Sequence, residues 1–165
     1  MTHNAERNKY AVFMRIAQQL SVLGTCDRKQ VGALIVYNGR CVSWGYNGAP
    51  PGLPHCSDNN HGWGLNPHPE GSPYYHAVEE GIAEGLFEVG CINATHAEAN
   101  ALAFAACQGI STDGGILFVT VSPCDTCARL LIAAGIVSVY YEEEYRDPAG
   151  RVLLEKAGVP CTEVS

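Results

Sequence analysis

The stretch GILFVTVSPCDTCARLLIAAGIVSVYY, residues 115–141, decides the fold class. Its first seven residues form a continuous apolar run that is typical of a buried strand. The pattern then predicts a helix from Cys124 to Gly135, with Asp125 in the first turn, where the helix dipole favours a negative charge. A second strand is predicted over residues 137–141. Because strand and helix alternate here, this half of the chain indicates an α/β protein.

The first half of the chain predicts a helix followed by a hairpin. Apolar residues recur at helical spacing between residues 4 and 23, and Gly24 then provides a stop. Two β-rich runs follow over residues 31–37 and 41–46. They are separated by Asn38-Gly39-Arg40, and Asn-Gly between such runs is a strong hairpin signal.

The remaining elements complete a layered architecture. Residues 95–107 are rich in alanine, with Thr95 in N-cap position and Glu98 three residues later, so the capping-box spacing predicts a helix that starts near His96. A last helix is predicted over residues 147–158, followed by an edge strand. The order of elements predicts a three-layer α/β/α sandwich around a central mixed sheet of about five strands.

The length of 165 residues predicts one domain over residues 1–165. Residues 49–75 form an irregular insertion in it, with six of the nine prolines and three of the six histidines. Long irregular loops are uncommon inside a compact domain. We therefore expect a specific interaction to hold this insertion in place.

The composition disfavours several classes of function. A net charge of −7 with scattered basic residues argues against a surface for duplex DNA or RNA. The sequence contains no apolar run long enough for a membrane span and its first residues are polar, so we expect a cytoplasmic protein, or one of the host cytoplasm if the source is viral. In that compartment the eight cysteines favour metal binding or catalysis over disulfides.

Two short motifs carry the chemistry: His96-Ala-Glu98 and Pro123-Cys-Asp-Thr-Cys127. Together they match the pattern of zinc deaminases, H-x-E followed by P-C-x-x-C. Cys124 and Cys127 lie on one face at a predicted helix N-terminus, where the dipole favours their thiolate forms.

His96 supplies the third ligand of the predicted zinc site. Three protein ligands leave one tetrahedral position open, which is typical of catalytic zinc. Zinc in such a site lowers the pKa of a bound water to about 7. Glu98 is then the predicted catalytic residue, because its carboxylate can carry a proton from the water to the ring nitrogen and the leaving amine.

At this point the chain resembles the deoxycytidylate (dCMP) deaminase family of the zinc-dependent cytidine deaminase-like superfamily. The similarity runs from about residue 26 to residue 158, and four segments carry it: Val31-Gly-Ala33, Gly45-Tyr-Asn-Gly48, His96-Ala-Glu-Ala-Asn-Ala-Leu102 and Ser122-Pro-Cys-Asp-Thr-Cys127. The resemblance implies hydrolytic deamination of dCMP to dUMP, the precursor of thymidylate. Gly45 and Gly48 are expected to allow a close backbone approach.

The resemblance also implies contacts to the nucleotide. Asn47 and Asn100 are expected to contact it, the backbone of Ser122 is expected near the exocyclic amine, and Tyr145 near the base. In an acidic protein the monophosphate needs a counter-charge, for which Arg28 or Lys29 and backbone N–H groups are the candidates.

A second, structural zinc occurs in some members of the family. The corresponding residues here are Cys26, Cys56, His76 and Cys91. A closed site of this kind would explain how the insertion is ordered. His55, His61 and His68 are alternatives to His76, and three ordinary buried thiols are the alternative to the site as a whole.

Regulation and assembly are expected by analogy alone. The resemblance suggests dCTP and dTTP with Mg²⁺ as regulators and a homo-oligomer, a hexamer by family analogy, although Cys107 stands where regulated relatives often carry a basic residue. Three alternative functions share many of these features. They are a deaminase of dCTP or 5-modified dCMP, a tRNA adenosine deaminase, and a zinc-stabilised binding protein without activity.

Overall fold

The computed structural model describes residues 3–26, 29–53, 55 and 94–164, with the helix backbone alone over residues 3–7. Most of the predicted insertion at residues 49–75 lies outside these ranges. So do four of the predicted site residues, which are Arg28, Cys56, His76 and Cys91.

Four helices and five strands are present in the described part of the chain, and they follow the predicted order. No helix in these ranges has the length and apolar character needed to cross a membrane. The elements are α1 (His3–Ser21), β1 (Gly32–Tyr37), β2 (Arg40–Tyr46), α2 (Ala97–Cys107), β3 (Ile116–Val121), α3 (Asp125–Ala133), β4 (Ser138–Glu143), α4 (Ala149–Lys156) and β5 (Cys161–Glu163).

The strands form one mixed sheet in the order β2-β1-β3-β4-β5. Strand β1 is antiparallel to both of its neighbours, whereas β3, β4 and β5 are parallel to one another. The carboxyl ends of β2, β3 and β4 therefore lie at the same edge of the sheet as the start of β1. Ligands of α/β proteins bind at such an edge.

Alternate residues of the central strands face two helical layers. Leu34 of β1 and Phe118 of β3 pair across the sheet and form one cluster with Met14 and Ala17 of α1. The neighbouring strand residues belong to a second cluster, which includes residues of α2, α3 and α4. The predicted three-layer α/β/α sandwich with a five-stranded mixed sheet is confirmed.

The turn between β1 and β2 has the predicted hairpin chemistry. Tyr37 pairs with Arg40, which leaves Asn38 and Gly39 as a two-residue loop. Their φ angles are +49° and +71°. Positive φ at both central positions is the requirement of a type I′ turn, which Asn-Gly meets at low cost.

Gly45 lets α2 pack directly on β2, as the sequence predicts. A Cβ at this position would lie 2.5 Å from the backbone nitrogen of Ala101 and closer still to the carbonyl oxygen of Ala97. At Gly48 a Cβ would collide with the hydroxyl of Thr25. The two glycines thus hold the start of α2 and the segment before β1 against the end of β2.

The predicted capping box is wrong. The N-cap of α2 is His96, and its side chain makes no capping hydrogen bond. Thr95 is held outside the helix by backbone hydrogen bonds in both directions with Gly48, Thr95 N to Gly48 O at 2.9 Å and Gly48 N to Thr95 O at 3.1 Å. This pairing fixes Thr95 in an extended position, so the helix begins one residue later than the capping pattern requires.

Candidate active site

A cavity of about 300 Å³ opens at the edge of the sheet where the ends of β2, β3 and β4 meet the start of β1. Fourteen residues from six segments line it, and eight of them are candidate site residues from the sequence. The lining residues are Cys26, Lys29, Val31, Asn47, Ala94, His96, Ala97, Glu98, Val121, Ser122, Cys124, Glu144, Tyr145 and Arg146.

The N-terminus of α3 presents the two cysteines. Cys124 is the N-cap residue in extended conformation, and its Sγ accepts a hydrogen bond from the backbone N–H of Cys127 at 3.5 Å. The sulfur therefore takes the role of the side-chain oxygen of a serine, threonine, aspartate or asparagine N-cap. Cys127 is buried in the third position of the helix, so both sulfurs lie on the side that faces α2.

The N-terminus of α2 supplies the imidazole and the carboxylate. His96 is its N-cap, with φ −69° and ψ 152°, and Glu98 lies in its first turn. The extended backbone at His96 directs the side chain away from the helix and towards the sulfurs. Because Gly45 allows α2 to lie close to β2, both N-termini reach the same edge of the sheet.

The three predicted ligands come together. Nδ1 of His96 is 3.5 Å from Sγ of Cys124 and 3.4 Å from Sγ of Cys127. All three donor atoms lie within 4.8 Å of one another. Tetrahedral zinc with ordinary bond lengths separates a nitrogen and a sulfur ligand by about 3.6 Å. The donor set and its spacing therefore fit a zinc ion.

The pKa values of the two thiols are shifted in opposite directions. A hydrogen bond from the thiol of Cys127 lowers the pKa of Cys124 to about 4, against the effect of burial, and His96 adds to the shift. The same sulfur contact, together with burial, raises the pKa of Cys127. A divalent cation would favour the second thiolate, because metal binding displaces the shared proton.

Glu98 is a buried carboxyl group, only 4% exposed. Burial raises its pKa, because desolvation disfavours the charged form, while its own backbone N–H and the imidazole of His96 act in the opposite direction. A raised pKa suits a group that must both accept and return a proton near neutral pH. Its contact with Cys127 places it next to the ligand set.

Asn47 lies in the cavity wall, and its side-chain amide holds the segment before β1. Oδ1 accepts a hydrogen bond from the backbone N–H of Val31 at 2.7 Å, and Nδ2 donates to the carbonyl of Lys29 at 2.7 Å. Each group can form one more hydrogen bond. The contact between Asn47 and the nucleotide stays a prediction.

Ser122 and Tyr145 also line the cavity and are linked to each other. The hydroxyl of Ser122 accepts a hydrogen bond from the backbone N–H of Tyr145 at 2.8 Å. Asn100 has a different partner, since its Nδ2 donates to the carbonyl of Tyr46 at 2.7 Å and so ties α2 to β2. The expected nucleotide contacts of these three residues stay predictions.

Most of the charged residues at the cavity mouth were not predicted from the sequence, with Lys29 as the exception. Lys29 forms an ion pair with Glu143 at the end of β4. Glu144 is 3.0 Å from the guanidinium of Arg151, and the guanidinium of Arg146 lies 5.7 Å from the centre of the Tyr145 ring. Glu143, Glu144 and Arg146 lie at or just after the end of the parallel strand β4, and this position is the signal that could have identified them.

Cys26 is the one predicted ligand of the second zinc that the described ranges contain. It is buried, 5% exposed, and it lines the cavity wall. The other three predicted ligands lie outside the described residues.

Gly150 in the first turn of α4 packs directly behind the metal ligands. A Cβ here would lie 2.6 Å from the carbonyl carbon of Cys124 and closer still to the carbonyl oxygen of Pro123. Both neighbours are backbone atoms and cannot rotate away as a side chain could. The absence of a side chain at Gly150 therefore allows α4 to support the chain at Cys124.

The fold and the ligand set together define a class of protein. A mixed sheet carries two helix N-termini that bring one imidazole, two thiolates and a buried carboxylate to one cavity, the arrangement of zinc-dependent deaminases. The model of the cytidine and deoxycytidylate deaminase zinc-binding region matches residues 7–143. The chain belongs to this family of zinc-binding deaminases.

Individual relatives are similar over nearly the whole chain. The deoxycytidylate deaminase of Enterobacteria phage T4 is 34% identical, with 94% of this chain and 90% of that protein covered. The ComE operon protein 2 of Bacillus subtilis is 35% identical, with 95% and 70% covered. A solved structure of dCMP deaminase from the cyanophage S-TIM5, in complex with dCMP and dUMP, superposes with a TM-score of 0.72 at 30% identity, covering 99% and 98%.

The contact at Gly150 gives a test of how the ligands are positioned. In Gly150→Ala the new methyl group must push Cys124 out of place, so we expect zinc affinity to fall by about tenfold or more, as for other residues that orient ligands. Competition with a chromogenic chelator measures this. Gly109→Ala is the control, because nothing lies within 4 Å of its Cβ, although its φ of +66° will cost some stability. Equal zinc affinity in both variants would contradict the assignment.

Proposed function

We propose that this protein is a zinc-dependent hydrolase that converts dCMP and water to dUMP and ammonia. The observation that carries the proposal is the buried carboxylate of Glu98 beside three ligand atoms at zinc spacing, inside a cavity. Several relatives at 29–35% identity are deoxycytidylate deaminases. The solved structure with dCMP and dUMP supports the same substrate and product.

Different residues bind the zinc and transfer the proton in the proposed reaction. His96, Cys124 and Cys127 would hold the zinc, which when bound supplies a Lewis acid that lowers the pKa of water. Glu98 takes one proton from the water that attacks C4 of the base and delivers it to the ring nitrogen, and it then carries the second proton from the new C4 hydroxyl to the leaving amine. One C–N bond breaks, one C–O bond forms, and the amine leaves as ammonia.

Substrate binding is assigned to the other wall residues. Asn47 and Asn100 contact the nucleotide in this proposal, the backbone of Ser122 lies near the exocyclic amine, and Tyr145 lies near the base. Of these, Asn47, Ser122 and Tyr145 line the cavity. Arg28, outside the described residues, or Lys29 in the cavity wall supplies a positive charge for the phosphate.

A comparison of substrates tests the proposed function. We expect the highest kcat/KM for dCMP, and a value at least about a hundredfold lower for deoxycytidine, because the nucleoside makes no contact with the phosphate-binding groups. Ammonia release from dCMP, dCTP, 5-methyl-dCMP and deoxycytidine measures this. A preference for dCTP or for the 5-methyl nucleotide would select the alternative deaminases, and activity on adenosine in RNA alone would overturn the proposal.

The role of Glu98 has a separate test that excludes a zinc-stabilised binding protein. Glu98→Gln keeps the shape of the side chain but cannot carry the proton, so kcat should fall by about a hundredfold or more. Zinc content by elemental analysis should stay at the wild-type value. Glu155→Gln, the same change at an exposed position of α4, is the control. A variant at Glu98 that releases ammonia at the wild-type rate would defeat the assignment.

The second zinc belongs to the same proposal. Cys26, Cys56, His76 and Cys91 form a closed structural site that holds the insertion at residues 49–75 to the rest of the single domain, residues 1–165. Cys26 supports this in so far as it is buried next to the start of β1. Four protein ligands without an open position are typical of structural zinc.

The number of zinc ions tests this second site. Elemental analysis should give two zinc ions per chain, and Cys56→Ser should leave one, because a closed site with three ligands holds its metal poorly. Cys41→Ser is the control, since Cys41 is exposed on β2. One zinc ion in the wild-type protein would remove the structural site while leaving the catalytic one.

Assembly, regulation and location complete the proposal. The protein works in the cytoplasm, or in that of a host, as a homo-oligomer, a hexamer by family analogy. Regulation by dCTP and dTTP with Mg²⁺ is part of that analogy. Cys107, exposed on α2, stands where regulated relatives often carry a basic residue, so the proposal includes a weaker response to these nucleotides than in those relatives.

A further inference from the structure

The mouth of the cavity carries an ion pair whose lysine faces the site. Lys29 lines the cavity, and its ammonium group binds the carboxylate of Glu143. The two side chains are 51% and 59% exposed. Exposed ion pairs contribute little to the free energy of folding, since water competes for both partners. This pair can therefore open at little cost to the stability of the fold.

The backbones on both sides of the pair are fixed. The carbonyl of Lys29 accepts a hydrogen bond from Asn47 at 2.7 Å, and the carbonyl of Glu143 accepts one from the backbone N–H of Ser122 at 2.8 Å. Only the two side chains need to move when the pair opens. The ammonium group can thus change partners while the segments that line the cavity stay in place.

A nucleotide brings a competing anion to this point. Its 5′-phosphate carries nearly two negative charges at neutral pH and three acceptor oxygens, against one charge on a carboxylate. We propose that Glu143 is a specificity-determining residue, which holds the ammonium of Lys29 until the phosphate of the nucleotide replaces its carboxylate. This inference rests on the proposed function, because it takes a deoxynucleoside monophosphate as the ligand.

The exchange predicts an effect of unusual sign. Because the carboxylate of Glu143 competes with the phosphate, its removal should strengthen nucleotide binding, whereas the loss of a residue that supports the site would weaken it. A nucleoside has no phosphate and gains nothing from the change. The ratio of the two affinities therefore isolates the exchange from any general effect on the cavity.

Glu142 provides a matched control on the same strand. Glu142 directly precedes Glu143, but its side chain lies on the face of the sheet that α1 covers. There its Oε1 accepts a hydrogen bond from Nε2 of Gln18 at 2.7 Å. Glu142→Gln removes the same charge from the same strand without touching Lys29. Any long-range effect of net charge is then shared by the two variants.

Binding of dUMP and deoxyuridine to the zinc-loaded protein, measured by titration calorimetry, tests the proposal. Glu143→Gln should raise the affinity for dUMP relative to deoxyuridine by about fivefold, the size of one exposed charge contact. Glu142→Gln should leave the ratio near the wild-type value. In Lys29→Met the preference for dUMP should fall, and adding Glu143→Gln to it should restore nothing.

The outcomes separate the two proposals. A ratio in Glu143→Gln that is equal to that in Glu142→Gln, or lower than in the wild-type protein, overturns the exchange whether or not dCMP is deaminated. Wild-type protein that binds dUMP but does not release ammonia from dCMP contradicts the proposed function and leaves the exchange to be decided by the ratio. A failure to bind dUMP overturns the exchange alone, because ammonia release from dCMP decides the proposed function.

Discussion

The meeting of two helix N-termini at one edge of the sheet is the constraint on which the site depends. Nδ1 of His96 at the start of α2 lies 3.4–3.5 Å from the sulfurs at the start of α3. This distance requires each helix to be packed to within a few tenths of an ångström. Gly45 under α2 and Gly150 behind Cys124 meet that requirement, since at both positions a Cβ would strike backbone.

Local sequence predicts most of the fold and the chemical centre. The spacing of Cys124 and Cys127 at a helix start is enough to place both sulfurs on one side of the helix. In the same way, Asn38-Gly39 is enough to define the type of turn between β1 and β2. The error at Thr95 has a non-local origin, because the pairing with Gly48 overrides a valid capping pattern. A sequence pattern that spans a few residues carries no information about a strand partner elsewhere in the chain that competes with the cap.

The ion pair at the mouth of the cavity was not predicted for the same reason, although Lys29 itself was a candidate from the sequence. Lys29 and Glu143 are 114 residues apart, and nothing in either neighbourhood indicates the other. Their contact follows from the strand order, which places the start of β1 and the end of β4 at one edge. Likewise, the amide of Asn47 was predicted to contact a ligand, but its hydrogen bonds to Val31 and Lys29 only become visible once the strands are arranged.

The cavity thus has two zones under different physical constraints. Glu98 and Cys127 are almost completely buried. A substitution there that leaves a polar group without a hydrogen-bond partner costs folding free energy, because water cannot reach the site to replace the partner. Lys29 and Glu143 are more than half exposed, and water can replace either partner. Chemistry in the buried zone is therefore hard to alter, while the exposed zone can vary in charge with little effect on the fold. Under the proposed exchange, selection among nucleotides would be adjusted at this mouth more readily than beside the metal ligands.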